Sequence, residues 1–290
     1  MKIGYPCINR SIDCTSNSTF RLKNYSQQRL IETVSKNLDC LSKILDFNLK
    51  NNLLFFRIGS NIVPFASHPV CKFDWITYFE KEFEKIGSFI KRNDFRISMH
   101  PDQFIVINST KKDVRKRSIK ELYYHSQVLD AMKLDKTAKI QIHVGGVYGN
   151  KPESIKRFIK VHKSLVEPIK RRLVIENDEK SYNLKDCLKI SSELRIPCVF
   201  DTLHHECLNN NESFRDAILL VKNTWDISDG IPMIDYSSQE PGERLGKHAE
   251  TINITQFERF LNNTEDIDFD IILEIKDKER SALKAVKLLK

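Results

Sequence analysis

Two hydrophobic periodicities alternate along this chain. Short runs that are apolar or alternate apolar with polar occur at 2–7, 53–59, 96–100, 139–145, 173–178, 197–203, 231–237 and 270–276. Between and after them, apolar residues recur three and four positions apart near 26–48, 72–92, 111–134, 152–168, 183–193, 212–223, 255–262 and 277–289. The first pattern predicts strands and the second amphipathic helices. Strand then helix, eight times over, predicts an α/β fold of the (β/α)8 TIM-barrel type. Runs such as Leu53-Leu54-Phe55-Phe56 and Ile271-Ile272-Leu273 are apolar on both faces, as expected of parallel strands packed inside and out. Helix starts are marked by the proline of Lys151-Pro152-Glu153 and by the capping groups of Ser181-Tyr182-Asn183. The weakest helix pattern is 255–262, which is short and follows the long loop 237–251. No linker or low-complexity tract divides the chain, so residues 1–290 are expected to form a single domain.

The register places polar groups where barrel enzymes gather their chemistry, at the C-terminal ends of different strands. His100, His143, Glu176, Asp201 and Glu274 each end an apolar run, His204 follows Asp201 closely, and His68 and His248 stand in loops after two other runs. Alternate residues of a strand share a face, so Gln141 accompanies His143 and Met233 accompanies Asp235. A doubly wound open sheet would also put ligands at C-terminal strand ends, but would not use nearly every strand. Imidazoles and carboxylates are ligands for divalent metals. With Asp235 included, nine such groups are too many for one tetrahedral ion and enough for two or three ions. A phosphodiester is the substrate class that needs a polarised phosphoryl oxygen, an activated water and a stabilised leaving oxygen together. His125 and His162 fall within helical patterns and read as plain helix residues. Gly145, Gly146 and Gly149 form no recognised phosphate loop and read as a turn.

Composition adds a partner. At 290 residues, with 40% hydrophobic and 30% charged positions, the chain can bury a large core. Its net charge of +8 points to a polyanion, and the basic run 111–117, with Lys111, Lys112, Arg115 and Arg117, directly follows a ligand-bearing segment. A solvated helix face is the alternative for that run. No apolar stretch reaches the length of a membrane span, and the N-terminus lacks a secretory pattern, so a cytoplasmic protein is expected. Seven cysteines without a Cys-x-x-Cys pair read as buried reduced thiols.

The motifs Gly4-Tyr5-Pro6-Cys7-Ile8-Asn9, Arg57-Ile58-Gly59-Ser60, Phe65-Ala66-Ser67-His68, Met99-His100-Pro101-Asp102-Gln103, Ile142-His143-Val144-Gly145-Gly146, Val174-Ile175-Glu176-Asn177-Asp178, Phe200-Asp201-Thr202-Leu203-His204-His205-Glu206 and Leu273-Glu274 occur in order over almost the whole chain. Together they resemble the UV damage endonuclease family, a metal-dependent barrel related in architecture to endonuclease IV. The resemblance implies a DNA repair enzyme that incises the backbone immediately 5′ to cyclobutane dimers and 6-4 photoproducts, leaving a 3′-hydroxyl. It further implies that His100, His143 and Glu176 hold one ion, and that Glu176 bridges to a second held by Asp201, Asp235 and Glu274. His204 and His248 would serve a third, and His68 would lie close to the scissile phosphate, acting with Glu176 as a catalytic group. Manganese is the first expectation for the metal, with zinc, magnesium or cobalt as alternatives.

Where family members commonly carry Lys-x-His on the seventh strand, this chain has Met233-Ile234-Asp235. Asp235 adds negative charge where a neutral imidazole is expected, and Met233 cannot act as a cation.

A lesion inside duplex DNA must be turned out of the stack before a rim of metals can reach it. Gln103 and Phe104 offer an amide and a ring to fill the gap, and the resemblance places Tyr5 and Asn9 at the DNA surface as well. The expected partner is damaged double-stranded DNA, bound by a monomer that would be nucleoid-associated when engaged. A metal-dependent sugar isomerase or epimerase on the same barrel is the rival enzyme, although its small neutral substrate needs neither the basic run nor an exposed Gln-Phe pair. A non-catalytic DNA-binding protein would want a closed four-ligand metal site instead.

Overall fold

In the computed structural model, which describes residues 1–289, eight parallel strands close into a barrel in sequence order. They are β1 (Ile3–Pro6), β2 (Phe55–Ile58), β3 (Arg96–Met99), β4 (Lys139–His143), β5 (Leu173–Glu176), β6 (Cys198–Asp201), β7 (Met233–Tyr236) and β8 (Asp270–Leu273). β8 pairs with β1 through Ile3 and Ile271, which closes the ring. The helices are α1 (Gln27–Lys50), α2 (Trp75–Tyr78), α3 (Glu80–Arg92), α4 (Lys112–Ala131), α5 (Lys151–Lys163), α6 (Glu167–Lys170), α7 (Leu184–Leu194), α8 (Thr202–Cys207), α9 (Phe214–Lys222), α10 (Ile254–Asn263) and α11 (Glu279–Ala285). Every predicted strand is present. The expected helix 72–92 is broken at Phe79 into α2 and α3, and 152–168 is broken before Pro168 into α5 and α6. Residues 202 and 203, expected to end a strand, begin α8 instead, because the Asp201 side chain accepts from the His204 N–H and caps a helix there.

Local chemistry sets these boundaries. Ser26, Asn150 and Asn183 each accept from the N–H three residues on, which starts α1, α5 and α7. α1 then turns Leu30, Val34, Leu38, Leu41 and Leu45 onto the barrel, each burial contributing roughly 1.5–3 kcal/mol. Gly4 is demanded by close approach: a Cβ there would lie 1.7 Å from the Phe55 carbonyl oxygen.

Inside the barrel, Phe55, Val174, Val199, Met233 and Ile272 form one fully buried apolar layer. Because strand side chains alternate, the inward residues one step above it are Arg57, Glu176, Asp201, Asp235 and Glu274. The dry layer is therefore the floor under a polar one, at the C-terminal mouth where barrel sites form. Register puts His143 beside Glu176 and Asp201 beside Asp235.

One expectation from the sequence is corrected. Cys14 and Cys40 are joined in a disulfide, with Cα atoms 5.9 Å apart, while Cys7, Cys71, Cys187, Cys198 and Cys207 are free thiols. The bond ties the loop after β1 to the buried face of α1. Its two residues are 26 apart with no motif around them, so nothing in the sequence marked the pair.

Candidate metal centre

Glu176 is the hub of the polar layer. It is 1% exposed, and its two oxygens face different partners. Oε2 lies 3.1 Å from His100 Nε2 and 3.7 Å from His143 Nε2, and Oε1 lies 3.0 Å from His204 Nδ1. Asp201 Oδ1 is 3.6 Å from the same His204 nitrogen. Two sets of ligand atoms result, each mutually within 4.8 Å: His100, His143 and Glu176, and Glu176, Asp201 and His204. Atoms bound at about 2.0–2.2 Å to a common ion stand roughly 3 Å or a little more from each other, so both groups could hold a metal.

Outer contacts orient the imidazoles. His100 Nδ1 is 2.8 Å from the Pro101 carbonyl, His204 Nδ1 is 3.0 Å from that of Asn177, and His248 Nδ1 is 2.9 Å from that of Glu274. Such contacts fix the tautomer and leave Nε2 as the ligand nitrogen of His100 and His248. Among the described residues, His143 Nδ1 and Asp201 Oδ2 are buried with no hydrogen-bond partner. A buried polar atom without a partner costs about 1–3 kcal/mol, and a bound cation or its hydration shell removes that cost. The donor set and these orphaned atoms fit divalent metal.

The charges of the cluster are mutually dependent. Burial alone would raise the Glu176 carboxyl, but His143, His100 and His204 hold it well below the ordinary carboxylate range. Burial works against a charged His204, yet Asp201 and Glu176 push it up to about 12. Asp201 is raised to about 7 by burial and by the neighbouring carboxylates Glu176 and Glu274, against the pull of His204. Positive charge is thus required at the hub, from protons or from metal.

The other expected ligands are placed differently. His248 Nε2 is 3.9 Å from Glu274 Oε2, and its ring centroid is 6.2 Å from that of His204, so this pair borders the cluster. Asp235 faces a cation of the protein itself: Arg57 Nη2 donates to its two oxygens at 2.7 and 2.9 Å. Arg57 Nη1 also donates to Glu274, and Gln141 Nε2 donates to Glu176 at 2.7 Å and to Asp235. Asp235, expected from the sequence to hold an ion, thus lies outside both ligand-competent groups and is paired with a guanidinium. Arg57 and Gln141 carry no ligand signal in sequence; strand parity with Glu176 and Asp235 was the available clue.

Above the floor lies a cleft of about 470 Å³ walled by Arg57, His100, His248, Glu274, Gln103 and Phe104. A second cleft, about 620 Å³, runs between His68, Phe104, Lys116, Arg117 and Lys120. Phe104 lines both and is 74% exposed, so it is a ridge between them and not core. His68 is exposed on the basic side of that ridge and belongs to neither ligand group. Lys111 and Lys112 are exposed, Arg117 pairs with Asp113 at 3.1 Å, and Arg115 donates to the carbonyls of Ser109 and Thr110. Lys116, inside the predicted basic run, and Lys120, beyond it, extend the same basic face. Tyr5 and Asn9 are corrected: both are buried, the Tyr5 hydroxyl donating to Asn48 of α1 at 2.6 Å and accepting from Asn9 at 2.8 Å. Tyr5 points out of the barrel toward α1, away from the mouth. The turn at Gly145 (φ +105°) is filled by Asn108, which also bonds the Gly146 backbone.

Comparison with known proteins gives one direction. A family model described as UV-endonuclease UvdE matches residues 1–290. The UV DNA damage endonuclease of Clostridium perfringens (strain 13 / Type A) is 42% identical over 292 residues, spanning 100% of this chain and 71% of that protein. The UV DNA damage endonuclease of Bacillus thuringiensis subsp. konkukian (strain 97-27) is 32% identical over 299 residues, spanning 100% and 94%. The crystal structure of SacUVDE superposes with a TM-score of 0.96 at 49% identity, covering 100% of this chain and 98% of that one. A D-psicose 3-epimerase with D-fructose shares the fold alone, with a TM-score of 0.56 at 12% identity over 84% of each chain.

Proposed function

The chain belongs to the UV-endonuclease UvdE family, DNA repair endonucleases by the names its relatives carry, and from that premise we propose that it incises damaged duplex DNA immediately 5′ to cyclobutane dimers and 6-4 photoproducts. The observation that carries a metal-assisted route is the position of Glu176 in both ligand-competent groups. Divalent ions, manganese foremost, would supply Lewis acidity at the phosphoryl oxygens and at the departing oxygen. His100 and His143 would hold one ion with Glu176, and Asp201 and His204 would share Glu176 in holding another. Glu274 and His248 stand at the edge of the same cleft, where a phosphate would enter.

The remaining residues bind and orient. Phe104 and Gln103 would enter the gap left when damaged nucleotides leave the stack, the ring by stacking and the amide by hydrogen bonding. Lys111, Lys112 and Arg117 would contact backbone phosphates without reading sequence, and Arg115 would act mainly by holding the loop at Ser109. His68, next to Phe104 on the basic side, would meet the DNA backbone close to the ridge. We further propose that residues 1–290 act as one unit and as a monomer inside the cell. Among the described residues no helix is long and apolar enough to cross a membrane. The test is nicking of irradiated and unirradiated supercoiled plasmid with and without added Mn²⁺. Incision confined to irradiated plasmid and dependent on metal is expected; metal-independent or lesion-independent nicking would overturn the reading.

A further inference from the structure

The β7 and β8 side of the floor already contains a cation. Arg57, 2% exposed, directs Nη2 to both oxygens of Asp235 and, at 2.9 Å, to Gln141 Oε1, while Nη1 is bonded to Glu274 Oε1. Asp235 is fully buried, and its Oδ2 receives Gln141 Nε2 as a second donor. Both carboxylate oxygens are therefore turned onto N–H groups, and neither ligand-competent group includes Asp235.

We propose that Arg57 takes the place of a divalent ion on this side of the barrel mouth, so that Asp235 is withdrawn from the ligand set and the centre takes no more than two ions. Charge supports that limit. Glu176, Asp201, Asp235 and Glu274 supply four carboxylates, and Arg57 leaves three negative charges uncompensated. Two divalent ions more than balance these, whereas a third would leave a buried floor strongly positive before any phosphate arrives. Gln141 couples the halves: its carbonyl accepts from Arg57 and its amide donates to Glu176, so the guanidinium helps position the hub without touching it. Arg57 is thus a positioning residue that sets metal stoichiometry.

The inference rests on reading the Glu176 cluster as a metal centre, and the test separates the two. Mn²⁺ bound per chain is counted by equilibrium dialysis and elemental analysis for the parent, Asp235→Asn and Arg57→Met proteins, each checked for folding by circular dichroism. The parent is expected to take up one or two ions. Asp235→Asn should bind the same number, with affinity lowered by no more than the roughly 10–100-fold that follows loss of an outer neighbour. Arg57→Met should bind one ion more than the parent, because two carboxylates lose their counter-charge to an apolar side chain. A parent that binds three ions, an Asp235→Asn protein that loses one, or a folded Arg57→Met protein with the parent's count overturns the assignment of Arg57. If Arg57→Met does not fold, the parent and Asp235→Asn counts decide alone. A parent that takes up no Mn²⁺ removes the metal centre itself.

Discussion

Nε2 of His100 lies 3.1 Å from Oε2 of Glu176, a residue 76 positions further along the chain. With Nδ1 of the same ring held by the Pro101 carbonyl, the short approach joins two electron-rich atoms unless a proton or a metal lies between them. Glu176→Ala is therefore expected to lower incision of irradiated plasmid by more than the roughly hundredfold typical of an outer-neighbour loss. Affinity for the damaged duplex, read by fluorescence anisotropy, should stay close to the parent's. Undiminished nicking by the variant would remove Glu176 from the hub.

Phe104 divides the metal-side cleft from the basic one and packs against no core, so its loss should leave thermal stability unchanged. Stacking on a base is worth about 1–3 kcal/mol, which converts to roughly 5- to 150-fold in affinity. Phe104→Ala should lose that factor for irradiated duplex and little for intact duplex, with metal content unaltered. Equal losses on both DNAs would assign Phe104 to general binding.

Lys111 and Lys112 are exposed at the start of α4, whereas Arg115 is spent on the Ser109 and Thr110 carbonyls. Each phosphate contact steepens the log–log salt dependence of binding by about 0.9. Lys112→Ala should flatten the slope by about that amount without changing lesion preference. Arg115→Ala should instead loosen the 101–111 loop, which proteolysis would detect. An unchanged slope for Lys111→Ala and Lys112→Ala together would place the DNA elsewhere.

The alternation of strands and helices was legible because the β runs are apolar throughout or alternate apolar with polar, whereas the helices carry an apolar stripe. The hub was legible as well: Glu176, Asp201 and Glu274 sit two residues beyond Val174, Val199 and Ile272, so parity alone turns them onto the apolar floor. Tyr5 was placed at the DNA surface by the resemblance and not by parity, and it turns instead onto α1, where its hydroxyl bonds Asn48. Arg57 opens one of the motifs, but its role was not legible. A cation in an apolar run has no ligand chemistry of its own, and its meaning depends on Asp235, which is 178 positions away in sequence. The Asp201 cap on α8 shortened a strand for a purely local reason, the N–H of His204 finding an acceptor.

The disulfide between Cys14 and Cys40 joins two positions 26 apart and ties the loop after β1 to α1. Closing a loop of that size contributes about 3 kcal/mol in the chain-entropy account. Dithiothreitol, or the Cys14→Ser/Cys40→Ser protein, should lower the Tm by several degrees while leaving metal uptake intact. Free thiols at both positions in a non-reducing mass map would remove the bond.

His162, on the inner face of α5, is 4% exposed, and among the described residues its Nε2 has no hydrogen-bond partner. Burial, with the nearby charge of Lys170, depresses its pKa from the ordinary 6.5 to about 4. The unfolded chain therefore binds a proton that the fold refuses between those values, and stability contributed by the neutral ring is lost as pH falls through that window. At pH 5 the loss amounts to about 2 kcal/mol, and above pH 7 it vanishes. His162→Leu cannot charge in either state, so the difference between parent and variant should move in favour of the variant by that amount between pH 7.5 and pH 5. Denaturant melts of the two proteins at both pH values measure it, and the site histidines cancel because both proteins carry them. A parent-minus-variant difference that does not change with pH would mean that His162 is hydrated or paired in solution and titrates as it does in the unfolded chain.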